Sequence, residues 1–237
     1  MKSRTFLLTA LLCLMAVLPT YAQYRPGRGY TPPAPRRSTY QGNYRRPQSH
    51  SSYTPNYYFG FRFGLFASHV NSDAPDLNGS TSKTGLNAGV VAGVQLAPQA
   101  PLFFETGLLY SEKGGKGKLN GDKFSIGLNY LEVPLVLKYS AQVAPATAVE
   151  PFVGGYVGCG IGGKVKEYGQ RAAYSSFDSG YGANFKRFDG GLRVGCGLAY
   201  EMLYAEVGYD FGLTNIGDNA FDDTHNGALF VNLGLNF

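Results

Sequence analysis

The chain has 237 residues, of which 44% are apolar and 14% aromatic, with 33 glycines, no tryptophan and a formal charge of +5. The charge is uneven: residues 23–58 carry six arginines and no acid, whereas residues 59–237 hold 13 basic and 16 acidic side chains, a net of −3. A basic segment joined to a mildly acidic domain excludes a nucleic-acid-binding reading of the high pI, and no later run of about 18 apolar residues exists to form a transmembrane helix.

At the start, Lys2 and Arg4, the apolar run Phe6 to Leu18, and Thr20-Tyr21-Ala22 before Gln23 predict a secretory signal peptide over residues 1–22. Cys13 lies inside that run with no small, polar lipoprotein start behind it, which argues against lipidation. Residues 23–56 are mostly Pro, Arg, Tyr, Ser and Gly, with almost nothing aliphatic to bury, and read as a disordered basic periplasmic tail. Its arginines, Arg25, Arg28, Arg36, Arg37, Arg45 and Arg46, are candidate contacts for peptidoglycan, anionic headgroups or a periplasmic protein.

From Tyr57 onward the hydrophobic period is two. The first strand, about 58–70, alternates Phe59, Phe61, Phe63 and Leu65 with Gly60, Arg62 and Gly64. The second, about 85–97, sets Leu86, Ala88, Val90, Ala92, Val94 and Leu96 on one face. The third, about 102–112, sets Phe104, Thr106, Leu108 and Tyr110 against Glu105 and Gly107. The fourth, about 123–140, points Leu131, Val133, Leu135, Leu137 and Tyr139 outward and Glu132, Pro134 and Lys138 inward. Its first half, Phe124, Ile126, Leu128 and Tyr130, has the opposite apolar parity, which predicts a bulge near Tyr130 or a segment beyond the bilayer. Pro134 has no N–H to donate, so a second irregularity is expected there.

Four further strands complete the pattern: about 149–165, 185–200, 203–213 and 227–237, the last alternating Leu229, Val231, Leu233, Leu235 and Phe237 with Phe230, Asn232, Gly234 and Asn236. Connections 71–84, 113–122, 166–184 and 214–226 are long and polar, whereas 98–101, 141–148 and 201–202 are short. An even strand number with loops alternately long and short is the pattern of an all-β chain forming an eight-stranded antiparallel up-and-down transmembrane barrel, here over residues 57–237. Tyr57, Tyr139, Tyr200 and Phe237 are the expected interface anchors at the rim near the termini, and Tyr110, Phe188 and Phe211 those at the other rim. Cys159 and Cys196 fall on neighbouring strands and one face, either as a cross-strand disulfide or as two small lipid-facing residues.

The inward set holds charges of both signs: Arg62, Glu105, Glu132, Lys138, Arg193, Glu206 and Asp210. Eight strands enclose a lumen just wide enough for its own side chains, so these groups are expected to pair as an internal network; the alternative is a gated or proton-conducting path along them. Glu112 to Lys118 lacks the glycine and hydroxyl spacing of a phosphate loop and reads as a solvated loop able to meet lipopolysaccharide phosphates. Asp222-Asp223-Thr-His225 reads as an acidic loop without further metal-ligand spacing. Ser68 and His69 are adjacent on a strand and so face opposite ways, against a Ser–His pair.

The runs Glu105 to Gly114, Tyr130-Leu-Glu-Val-Pro-Leu-Val-Leu-Lys-Tyr139, Pro151 to Gly158 and Phe188 to Gly195 resemble the PorT-like outer-membrane β-barrel family of Bacteroidetes over about residues 57–237. The resemblance implies a small "porin family" barrel in the bacterial outer membrane; the namesake's part in type IX secretion does not transfer by resemblance alone. With it, the expected partners are outer-membrane lipid and lipopolysaccharide, with both termini periplasmic, no cofactor and no nucleic acid. The expected role is structural, anchoring or assembly-related and not enzymatic. A narrow channel, or a surface-loop enzyme or adhesin, is the alternative.

Overall fold

The computed structural model describes residues 56–73, 77, 81–97, 99–170, 172–178, 180 and 183–237. The expected signal peptide (1–22) and all six tail arginines lie outside the described residues. Eight long strands follow one another: β1 (Tyr57–Ser72), β2 (Lys83–Ala97), β3 (Ala100–Leu119), β4 (Asp122–Tyr139), β5 (Thr147–Gly162), β6 (Phe188–Tyr200), β7 (Leu203–Gly212) and β8 (Thr224–Asn236). Each is antiparallel to the next, and β8 returns to β1 with pairs running from Gly60–Asn236 to Ser72–Thr224. The ring is therefore closed and has no edge strand, the condition for placing β structure in hydrocarbon.

Alternation follows from the pleat: successive side chains leave opposite faces. Outward positions on every strand are apolar and solvent-accessible, among them Phe59, Phe61, Phe63, Val90, Leu108, Leu135, Val153, Val157, Leu192, Val207, Val231 and Leu233. A soluble barrel would not surround itself with such a belt. On β8 the belt runs from Leu229 to Phe237; at ~3.3 Å per residue and a tilt near 40° this stands roughly 20 Å high, comparable to the apolar band of a membrane barrel. Inward positions are buried, and the first strand shows the rule at single-residue resolution: Arg62, Phe66, Ser68 and Val70 inside, Phe61, Phe63 and Leu65 outside.

Two strands run well past the belt. β3 continues to Leu119 and meets β4 through a hairpin tip at Asn120-Gly121, whose φ angles of 52° and 94° are the left-handed values such a two-residue turn needs. The polar loop expected over 113–122 is thus a hairpin, with a register unbroken from Glu112–Asn129 to Leu119–Asp122. β4 keeps one parity throughout, so Phe124, Ile126, Leu128 and Tyr130 point inward with Glu132 and Lys138. Outward positions in that half are Lys123, Ser125, Gly127 and Asn129, polar or small, so the half lies beyond the belt. A pairing irregularity does occur at Asn129/Tyr130 against β5. At Pro134 the β3–β4 ladder skips two pairs and resumes in the same register, as a missing donor requires.

At the loop end the inward apolar residues of β4 meet the connections. The 166–184 and 214–226 segments are not irregular throughout: two-stranded pieces form from Lys164–Lys166 with Tyr174–Ser175 and from Ala183–Phe185 with Gly217–Asn219. They fold over the barrel and bury Phe124, Ile126, Leu128, Val165, Phe185, Ile216 and Phe221 in one cluster. Phe221 stacks on Phe185 at 5.1 Å between centroids and meets Tyr168 edge-on at 5.2 Å. The loop end is closed by a hydrophobic cap.

The filled lumen as candidate functional site

Below the cap the lumen is filled in layers. The middle layer centres on Lys113, which has no exposed surface. Its ammonium lies 2.5 Å from Glu132, 3.1 Å from Asp210 and 3.8 Å from Asp189, and 3.9 Å from the Tyr156 ring centroid. Arg193 lies beside it, donating to Asp210 at 2.6 and 2.7 Å and to Glu132 at 3.1 Å. Ser111 donates to Glu132, and Asn226 and Thr214 donate to Asp189. A charge in this position is tolerable only because it is paired with carboxylates and lies over the Tyr156 ring.

Towards the short-turn end, Glu105 accepts from Tyr58 at 2.5 Å, Lys138 at 2.8 Å and Arg62 at 3.0 Å. Lys138 also lies 3.7 Å from Glu150, and its ammonium and the Arg62 guanidinium sit over Tyr204 at 4.3 and 4.1 Å. Between the two layers lie Phe66, Val136, Phe152, Ala228 and Phe230. The Phe152 and Phe230 rings stack at 6.4 Å, in space left by Gly195 and Gly208, where a Cβ would strike them. A cavity of about 10 Å³ remains here, lined in part by Arg62, Glu105, Arg193 and Glu206. That volume holds about one water.

All seven inward charges expected from alternation thus face the lumen, in two groups: Arg62, Glu105 and Lys138, and Glu132, Arg193 and Asp210, with Glu206 accepting from Asn232 at 2.8 Å near the second. Sequence reasoning left out Lys113, read there as loop, and also Tyr58, Glu150, Tyr156 and Asp189. The rim residues occupy two levels. Tyr57, Tyr139, Tyr200 and Phe237 are exposed at the short-turn end, where the Phe237 ring meets Phe61 edge-on at 6.1 Å. Phe188 is exposed at the other level, with Tyr110 and Phe211 half-buried, and the Tyr110 hydroxyl donates to Glu112.

Cys159 and Cys196 do sit at outward-facing positions of the adjacent strands β5 and β6, but both are free thiols. Cys159 pairs with Phe188 and Cys196 with Pro151, eight positions apart along β6. At ~3.3 Å per residue that is on the order of 26 Å, far beyond the reach of a disulfide. Both thiols are expected to alkylate in protein purified without reductant, with no change in gel mobility on reduction; an unreactive pair would contradict the register. In the 222–225 segment Asn215 donates to Asp222 and holds its carboxyl below the usual range, while His225 lies 3.5 Å from Asp223. Among the described residues no group of three or more His, Cys, Asp or Glu is placed to hold a metal.

A closed antiparallel ring with an apolar belt, aromatic rims and a packed polar lumen defines an integral β-barrel membrane protein. Residues 46–218 match the outer membrane protein beta-barrel domain family, and the chain belongs to it. Among solved structures it is similar to Neisserial surface protein A, at 14% identity over 76% of this chain and 97% of that one, with a TM-score of 0.45. Similar values hold for OprG of Pseudomonas aeruginosa (14%, 76% and 95%, TM-score 0.44) and for Ail, the attachment invasion locus protein of Yersinia pestis (14%, 76% and 98%, TM-score 0.40). Comparison with curated proteins gives no match.

Proposed function

We propose that the protein is a closed, non-catalytic anchor of the PorT-like kind in a bacterial outer membrane, holding its basic tail and termini at the periplasmic face. The observation that carries this reading is Lys113, wholly buried between Glu132, Asp189 and Asp210 beneath a hydrophobic cap. An aqueous path would have to break that cluster and then pass a layer with room for about one water. The short connections 201–202 and 98–101 and the long capped ones fit a barrel whose short turns face the periplasm. The six tail arginines, which have no acid among them, are the groups available to meet peptidoglycan, anionic headgroups or a periplasmic protein.

The test is conductance of the full mature protein in planar bilayers. No unitary current is expected in the parent. Removing the cap side chains Phe221, Phe185 and Phe124 by alanine substitution should still give none, because the ion-paired layers remain. Stable channels in the parent would replace the anchor reading with that of a narrow pore. Deleting residues 24–56 should release any co-purifying periplasmic partner while leaving the barrel folded.

A further inference from the structure

The β3–β4 hairpin carries on its outer face a group of cations that the lumen network does not use. Lys116 and Lys118 flank the inward Gly117; Lys123 is the second residue of β4, after the exposed Asp122, which forms no ion pair with it; Lys164 and Lys166 flank the buried Val165 on the short strand that pairs with β4; and Lys83 opens β2. All but Lys83, which is half-buried, are exposed. Register places them side by side. Lys118 is directly opposite Lys123, Ser125 lies between Lys116 and Lys166 in one row, and the Lys83 ammonium and the Lys164 backbone both approach Gly127.

Among the described residues no carboxylate lies within ion-pairing distance of any of the six, whereas both lumen lysines, Lys113 and Lys138, contact at least two acids each. On the belt side Glu112 attracts Lys83 electrostatically, but its oxygens accept from the Tyr110 hydroxyl and the Leu86 amide and form no ion pair with the lysines. Like charges directly opposite on paired strands repel and weaken the hairpin, so Lys118 facing Lys123 calls for an anion from outside the chain. The position says which. The belt ends at Tyr110, Leu131 and Ile161, and the lysines begin a few residues beyond, on β2, β3, β4 and the short Lys164–Lys166 strand beside β4. At ~3.3 Å per residue and a tilt near 40° they stand on the order of 10–20 Å above the aromatic rim, Lys118 and Lys123 furthest out, at the level of sugar and phosphate headgroups.

We infer that this lysine face binds the phosphorylated headgroups of a glycolipid in the outer leaflet and so fixes one side of the barrel against that leaflet. The inference rests on the orientation given under the proposed function, with the capped end outside. The lysine stems would lie along the hairpin while their ammonium groups reach the phosphates, and screening by salt would weaken the contact.

The test uses the mature protein extracted from outer membranes in mild detergent. Phosphorylated glycolipid retained per barrel is counted by native mass spectrometry in the parent, in a Lys116→Gln, Lys118→Gln, Lys123→Gln, Lys166→Gln variant, and in the corresponding four-arginine variant. Retention should fall at least roughly tenfold with glutamine and stay near the parent level with arginine. It should also fall in the parent as salt is raised, a measurement that needs no variant to fold. Unchanged retention in the folded glutamine variant, or equal retention of dephosphorylated glycolipid, overturns the inference. Orientation is read separately by labelling Asn120→Cys, in a Cys159→Ser, Cys196→Ser background, with an impermeant maleimide on intact cells. An unlabelled tip overturns both readings; a labelled tip with lipid retention unaffected by the glutamines overturns this one alone.

Discussion

Replacing Lys113 with methionine is expected to destabilise the folded barrel by about 3–5 kcal/mol, the cost of stranding buried carboxylates without their cation. Methionine fills most of the volume and lies well against Tyr156 and Phe66, so the loss reports charge and not a void. Glu132 and Asp210 would retain Arg193 between them, at 3.1 and 2.6 Å, but one cation cannot balance the two of them and Asp189 together. Adding Glu132→Gln to Lys113→Met should therefore recover part of the loss, with a coupling energy of about 1 kcal/mol or more. Lys116→Met, three residues along the same strand but outside, should change stability by less than about 0.5 kcal/mol. Urea-dependent folding into lipid vesicles, followed by circular dichroism and by the gel mobility of unboiled samples, would measure all three. A neutral Lys113→Met would show that this lysine is solvated and that the hairpin does not continue the barrel.

That contrast also shows where the sequence was readable. Strand number, facing and the inward charges were visible because a period of two is imposed by the pleat and reinforced by a lipid outside. Every outward site within the belt, from Phe59 on β1 to Phe237 after β8, answers to the same solvent. The hairpin was missed because beyond the belt that solvent changes to water. Outward positions Lys116, Lys118, Lys123 and Ser125 then look like loop, and the apolar residues Phe124, Ile126 and Leu128 switch to the inside. Two signals were present all the same. Continuing the parity of Glu105, Leu109 and Ser111 puts Lys113 inside, and Asn120-Gly121 is the strongest short hairpin signal there is. The cysteine pairing failed for another reason. Facing and strand neighbourhood can be read from alternation, but stagger between β5 and β6 cannot, and the stagger is what separates the thiols. Partners Tyr58, Tyr156 and Glu150 were likewise beyond reach, since which inward residues meet across the lumen depends on the tilt of the ring.

The belt itself makes the second strong prediction. Leu233 is 65% exposed, sits mid-way along the outward row of β8, and pairs across to Phe63 and Ala205. Nothing packs over it within the chain, so in water Leu233→Arg would be close to neutral. In a bilayer the same change places a guanidinium near mid-depth and should cost about 2–4 kcal/mol. The cost has to depend on depth: Tyr200→Arg, at the rim, should lie between about 0 and 1 kcal/mol. It has to depend on face too. Asn232, one residue away, is buried and bonded to Asn87 and Glu206, so Asn232→Leu should be destabilising although leucine is the more lipophilic residue, because it leaves the Glu206 carboxylate without its donor. Folding free energies of the three variants in vesicles, measured against the parent, separate the cases. Equal and small effects for Leu233→Arg and Tyr200→Arg would mean that water, and not hydrocarbon, surrounds the barrel. A depth-graded penalty on one face, with the reverse preference one residue away, has no source other than a bilayer outside and a polar packed lumen within.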